Sequence, residues 1–453
     1  MSPLLDVARP GATTRHPQRE SSARTYARNL PIEPVHASGT TITAADGRTY
    51  LDCLSGAGAL ALGHNHPVAV EAIHRALTSG APMTTLDLDT PLRRAFTETL
   101  FALLPPRLAE RGRIHFCGPT GADAVEAALK LSRIATGRTG LLAFTGAYHG
   151  MTSGALAATG NVAVRSSQPL ADLVTRLPFP YGYRCPFGAG GSDGATLSAC
   201  YVERLLADPN GGITTPAAMI LEPVQGEGGV VPAPTEWLRS MRAVTKQHDI
   251  VLVADEVQTG VGRTGTFWAV DRAGVTPDVL VLSKAIGGGL PLAVIVYDGE
   301  LDRWPSGAHT GTFRGNQLAM AAGAATLRFV AENDLPARAD DLGARLRADL
   351  TGFAARHPSV GEVRGRGLMI GIEAVDPSLP QDSIGAYPAH PELARRVRAE
   401  CLHRGLIVEL GGRLDTVVRL LPPLTITDQE ADAVLERLCE AWEAAEAAEV
   451  SRS

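Results

Sequence analysis

At 453 residues the chain is longer than one hydrophobic core usually supports, so two or more lobes are expected. A formal charge of -6 and a mean hydropathy of +0.03 give no basic footprint for nucleic acid, and no apolar run approaches a membrane span. The six cysteines (Cys53, Cys117, Cys185, Cys200, Cys401 and Cys439) lie far apart without C-x-x-C spacing, which fits reduced thiols in a cytoplasmic protein better than a disulfide framework or a zinc site.

The chain opens with "MSPLLDVARPGATTRHPQRE", which lacks the apolar centre of a secretory signal and reads as a loose arm. "TTITAADGRTYLD" alternates on both sides of Asp46-Gly47 and predicts a β-hairpin. From about residue 71 to 325, short apolar runs alternate with helical patterns. "RIHFCG", "TGLLAFTG", "AAMILEPV", "IVLVADEV", "DVLVLSK" and "LAVIVYD" are the expected strands. Continuous apolar runs between helices predict an α/β fold with a largely parallel sheet covered on both faces. Residues 326–453 read as a smaller α+β lobe, interrupted by a surface loop at 376–390, and residues 1–70 as an arm and hairpin joining it. The division is therefore 1–70, 71–325 and 326–453.

Of the 42 basic residues, only Lys130, Lys246 and Lys284 are lysines; the rest are arginines. Arginine supplies charge almost anywhere but cannot act as a neutral amine nucleophile, so each lysine invites a reason. Lys130 lies in the helical pattern "AVEAALKLSR", where its stem can snorkel, and Lys246 precedes the polar "QHD". Lys284 differs. It closes the apolar run "DVLVLS" and is followed by Gly287-Gly288-Gly289, which would let backbone and ligand approach closely. Asp255 closes another such run, and in open α/β sheets ligands sit beyond the carboxyl ends of the strands. A desolvated lysine is partly neutral and can form a Schiff base, and pyridoxal phosphate needs such a lysine together with a carboxylate at its ring nitrogen. "FCGPTGADAVEAALKLSR" adds a strand, a turn and a helix opening at Thr120-Gly121-Ala122, whose free amides suit a phosphate. Taken alone, that segment is better described as an ordinary strand-to-helix turn, with Asp123 favouring the first turn of the helix.

"LVADEVQTGVGRTG" (252–265) spells G-x-G-x-x-G through Gly260, Gly262 and Gly265. In a dinucleotide fingerprint the first glycine follows the strand directly and a helix begins at the third. Here five residues from Asp255 to Thr259 intervene, and no amphipathic helix follows. No G-x-x-x-x-G-K-[ST] occurs either. The chemistry is expected in Asp255, not in the glycines.

Together, "LEPVQGEGG", "VADEVQTGVGRTG", "LSKAIGGGLP", "HTGTFRGNQLA", "VRGRGLMIG" and "VRLLPPL" resemble, in order and spacing, the class III pyridoxal-phosphate aminotransferases of fold type I, over residues 35 to 430. The resemblance implies that Lys284 binds the cofactor and shuttles the proton, and that Asp255 pairs with the ring nitrogen. It further implies Gln258 at the ring oxygen, Thr120, Gly121 and Ala122 at the phosphate, Tyr148 against the ring face, and His149 and Glu222 among the cofactor-binding residues. Thr312 would cross a homodimer interface to the partner's phosphate. Arg419 would clamp the α-carboxylate of glutamate or 2-oxoglutarate, and Glu227 would neutralise it when the other substrate binds. Glu222 and Glu227 could instead cap turns, and Arg419 could form a surface ion pair.

Within the class, "DCLSGAGALALGHNHP", "LDLDTPLRRAFTETL", "PYGYRCPFG" and "TFRGNQLAMAAG" are similar to the diaminobutyrate–2-oxoglutarate transaminases. Two departures from the wider class agree. Met151 stands where ornithine and γ-aminobutyrate transaminases carry a carboxylate-binding arginine, and Arg314 replaces a more usual glycine. Ser55 and Gly56 are expected at the substrate mouth. His64 and His66 are spaced like a metal pair, but a turn-stabilising role is the expectation, and no metal is expected. An aminotransferase for another ω-amine, or an aminomutase or decarboxylase on the same fold, would also keep Lys284 and Asp255.

Overall fold

The computed structural model describes residue 21, residue 23, and residues 25–166 and 173–450. The arm read at residues 1–20 lies outside them.

The centre is a seven-stranded sheet in the spatial order Gly112–Phe116, Val294–Asp298, Val279–Leu282, Val251–Asp255, Ala218–Leu221, Leu141–Phe144, Val174–Leu177. Five of these strands are buried at every position (Leu141–Phe144, Ala218–Leu221, Val251–Asp255, Val279–Leu282 and Val294–Asp298). That explains their unbroken apolar sequences: helices cover both faces. Val251–Asp255 runs parallel to both neighbours, whereas Val294–Asp298 is antiparallel to both of its own. All six expected strands form. The seventh, Val174–Leu177, edges the sheet beside Leu141–Phe144.

The expected hairpin pairs Thr41–Ala44 with Thr49–Asp52. Its last strand also pairs, in parallel, with Leu406–Ile407 from near the other end of the chain. This tie brings the Ser55–Gly58 turn to the carboxyl ends of the central strands. "EVRGRGLMIGIE" folds as a tight antiparallel pair, Val360–Arg366 with Met369–Ala374. The latter pairs with Val417–Leu420, which in turn pairs with Glu409–Gly411. The register places Arg419 in the middle of this four-stranded sheet, opposite Gly371 on one side and Glu409 on the other.

No helix begins at Gly265: turns lead from the central strand to a short 3-10 segment at Ala269–Ala273. The fingerprint is absent in structure as well as in sequence. Within the triple glycine, Gly288 has a packing reason of its own. It has φ +61°, and a Cβ there would lie 2.7 Å from the backbone of Ala322. The helix Gln317–Glu332 makes a close approach at this point. Lys130 also departs from a freely snorkelling side chain, since its ammonium donates to the Ala308 carbonyl.

Candidate active site

Lys284 and Asp255 reach one crevice from different central strands. Asp255 is the last residue of Val251–Asp255 and is buried, and Lys284 lies two residues beyond Leu282 on the parallel neighbour. Lys284 has φ +50°, a left-handed conformation that a non-glycine residue does not adopt without cost, typically about 1–3 kcal/mol. Such strain persists where the surroundings fix a side chain in one direction. Its ammonium has no hydrogen-bond partner among the described residues, and burial holds its pKa below the usual lysine value against the opposing fields of Glu227 and Asp255. The amine is thereby poised toward its neutral, nucleophilic form.

Asp255 is held on both oxygens. Oδ1 accepts the Val257 amide at 3.1 Å, and Oδ2 lies 2.7 Å from Nδ1 of His149. His149 is itself buried, and its backbone amide donates to the Thr159 hydroxyl. Burial alone would depress the imidazole, but the Asp255 hydrogen bond and charge outweigh it and the net shift is upward. The carboxylate is thus braced by a buried histidine on one oxygen and by a backbone amide on the other.

Thr120 N-caps the helix Gly121–Thr136 through a reciprocal capping box with Asp123. That box satisfies Thr120 and Asp123 and leaves the Gly121 and Ala122 amides at the helix start, where no intrahelical acceptor exists. Gly121 is required by packing: a Cβ would come within 2.9 Å of the Val257 side chain. The helix start is thus seated against the loop that follows Asp255. A buried lysine with a lowered pKa, a braced carboxylate and an open helix N-terminus fit the three ends of pyridoxal phosphate. Gln258 fits as well. Its Nε2 donates to the Ala57 carbonyl at 3.0 Å, and its Oε1 is buried with no partner.

Glu222 sits behind the crevice. Its oxygens accept the Tyr148 and Gly226 amides at 2.9 and 3.0 Å. Burial pushes its carboxyl up to about 7, with the charge of Asp255 adding and that of His149 opposing. The structure therefore places Glu222 as the brace of the Tyr148 and Gly226 turns. The Tyr148 ring remains partly exposed beside the crevice, and burial first, then Glu227, raises its phenol pKa.

Glu227 and Arg419 meet in a bidentate pair, with NH1 to Oε1 at 2.8 Å and NH2 to Oε2 at 2.9 Å. Arg419 is 1% exposed, so this is not a surface ion pair. Burial would depress Arg419 and raise Glu227, but each is overcome by the other's charge, leaving Arg419 shifted up and Glu227 down.

The mouth is shaped by a run of left-handed residues: Ser55 (φ +49°), Gly56 (+60°), Ala57 (+58°) and Gly58 (+90°). Asp52 anchors it. Its Oδ1 accepts the amides of Leu54 and Ser55 at 2.8 and 3.0 Å, and its Oδ2 meets His64 Nε2 at 2.8 Å. His64 therefore stabilises the turn, and no metal-holding cluster exists among the described residues. Met151 is exposed and brings no charge. Arg314 folds back, its guanidinium donating to the Thr310 carbonyl at 2.8 Å while its own carbonyl accepts from Arg93 at 2.9 Å. Thr312 is exposed and is not gathered into this chain's own crevice.

Tyr26 was not singled out in the sequence. Burial first, then the fields of Glu227 and Glu409, raises its phenol pKa, which places it at the same mouth. Glu409, opposite Arg419, was missed too, because only strand register brings it there.

Comparison with known proteins agrees. The profile of the family described as Aminotransferase class-III matches residues 22–442. The chain is 54% identical over 432 residues, covering 95% of this chain and 92% of the relative, to a diaminobutyrate–2-oxoglutarate aminotransferase of Rhizobium meliloti. A protein of the same name from Haemophilus influenzae is 46% identical, with 92% of each chain covered. An amine transaminase from an uncultivated Pseudomonas species, solved in its PLP-bound form, superposes with a TM-score of 0.85 at 31% identity, covering 96% of this chain and 99% of that one. The architecture is accordingly that of the fold type I transaminases, and the chain belongs to the class III aminotransferases.

Proposed function

We propose that the protein is a pyridoxal-phosphate-dependent aminotransferase that interconverts L-2,4-diaminobutyrate and 2-oxoglutarate with L-aspartate 4-semialdehyde and L-glutamate. The observation that carries this reading is the bidentate Glu227–Arg419 pair at the crevice of Lys284 and Asp255. An aminomutase or decarboxylase needs no keto-acid acceptor and so no gated carboxylate clamp. The names of the relatives support the same substrates.

When bound, pyridoxal phosphate supplies an aldehyde for the substrate amine and a ring that accepts the electrons released at the substrate carbon. The chain's residues do the rest. Gly121 and Ala122 hold the phosphate at the helix start. Asp255, braced by His149, keeps the ring nitrogen protonated. Lys284, with its lowered pKa, would move the proton from the reacting substrate carbon to the carbon on the far side of the nitrogen they share. Arg419 opens to an α-carboxylate when glutamate or 2-oxoglutarate enters, and closes on Glu227 for the ω-amine.

We further propose a homodimer in which Thr312 of each chain completes the other's phosphate site. The exposure of Thr312 and its neighbour Phe313 supports this. The compartment proposed is the cytoplasm. All six cysteines are free, and no helix among the described residues is long and apolar enough to cross a membrane. Assaying the purified holoenzyme against a panel of amino donors, with 2-oxoglutarate as acceptor, tests the function. Turnover of diaminobutyrate well above that of ornithine and 4-aminobutyrate is expected, and absence of glutamate formation would refute it.

A further inference from the structure

The two half-reactions leave different charges beyond the reacting carbon. Glutamate reacts at its α-amine, so only carboxylates remain. Diaminobutyrate reacts at its ω-amine and keeps an α-ammonium as well as an α-carboxylate. A site that closes Arg419 with Glu227 has spent both groups on each other, and the α-ammonium still needs an anion.

Glu409 is that anion by position. It is the cross-strand partner of Arg419 in the Glu409–Gly411 and Val417–Leu420 pairing, and directly opposed residues of an antiparallel pair project to the same face. It is 7% exposed. Its Oε1 accepts only the adjacent Leu410 amide, at 3.1 Å, and it makes no ion pair among the described residues. Arg419 is committed to Glu227, and Arg398 acts on Glu409 only as a weak field. A buried carboxylate without a cation is costly, and it is relieved either by a proton or by a cation that comes to it. Burial raises its pKa although Arg419 opposes, the sign of a carboxylate whose positive partner is incomplete. The Tyr26 phenol shares the field of Glu227, Glu409 and Arg419, so the mouth also carries a hydroxyl suited to the neighbouring carboxylate.

We propose that Glu409 is a specificity-determining residue that receives the α-ammonium of the ω-amine substrate, so that the enzyme selects diamino acids over ω-amino acids lacking that group. This rests on the function proposed above and assigns the part of the substrate that the Glu227–Arg419 pair leaves unread.

The test uses single-turnover reaction of the holoenzyme with L-2,4-diaminobutyrate, with 4-aminobutyrate, which differs only in lacking the α-ammonium, and with L-glutamate. Glu409→Gln should lower the diaminobutyrate half-reaction roughly ten- to a hundredfold, the range of a lost charge-assisted partner. The losses for 4-aminobutyrate and glutamate should be much smaller, so the preference between the two ω-amines collapses. Glu409→Asp, which keeps the charge on a shorter stem, should recover part of that preference. A Glu409→Gln enzyme that keeps the wild-type preference overturns the inference alone. Equal losses on all three substrates, unrelieved in Glu409→Asp, overturn it as well and make Glu409 structural. A wild type that does not prefer diaminobutyrate over 4-aminobutyrate overturns the proposed function and this inference together.

Discussion

Arg419 and Glu227 are joined by two parallel hydrogen bonds, of 2.8 and 2.9 Å, although Arg419 comes from a strand of the smaller sheet and Glu227 from the loop beyond Ala218–Leu221. The pair spans the crevice instead of sealing a surface. Breaking it by truncating one member leaves a charge in a site with little water, and the effect on each substrate depends on whether that substrate brings a carboxylate.

Lys284→Ala should abolish turnover and the visible absorption of the bound cofactor while leaving far-ultraviolet circular dichroism unchanged. Alanine at φ +50° carries the same backbone strain, but the substitution removes an amine whose charged form burial disfavours, so the thermal midpoint of the cofactor-free protein should not fall. Retention of both the absorption band and normal activity would remove Lys284 from the site.

Asp255→Asn keeps the shape but replaces the carboxylate that pairs with His149 at 2.7 Å. A neutral amide cannot hold the ring nitrogen protonated, so single-turnover rates should fall about a hundredfold or more, as for other positioned ionic groups in active sites. His149→Phe should fall less, because Val257 still holds one oxygen of Asp255. Wild-type rates in Asp255→Asn would contradict the assignment.

Glu222 predicts a pH signature. Its carboxyl titrates near 7 in the folded chain against the ordinary 4.5, so between these values the folded state holds more protons than the unfolded one. Stability from this group is therefore greatest below about 4.5 and declines as pH rises toward 7. Thermal midpoints of wild type and Glu222→Gln, measured from pH 5 to 8, should show the wild type losing ground to the variant as pH rises. Parallel curves would show that the two backbone amides keep Glu222 ionised throughout.

The parallel strands were legible because burial on both faces writes itself as unbroken apolar sequence, as in "IVLVAD" and "DVLVLS". Val174–Leu177 was not, since Arg176 interrupts a four-residue edge strand. Lys284 and Asp255 could be singled out because they end such runs, but the positive φ of Lys284 has no sequence signature in a non-glycine residue. The triple glycine was visible while the packing at Gly288 was not: only the folded helix reveals that Ala322 crowds it. Glu409 shows the limit most clearly. Nine residues separate it from Arg419 in the chain, and nothing but the strand register makes them neighbours.

The central claim is that one crevice serves two unlike substrates by opening and closing Arg419. Measuring the glutamate and diaminobutyrate half-reactions separately in Glu227→Ala and Arg419→Ala tests it most directly. Glu227→Ala should preserve or improve the glutamate half-reaction and weaken that of diaminobutyrate, shifting the preference by roughly one to two decades for a lost partner worth about 1.5–3 kcal/mol. Arg419→Ala should do the reverse, harming glutamate and 2-oxoglutarate most. Equal losses on both substrates in both variants would contradict the switch and leave the pair as a structural tie.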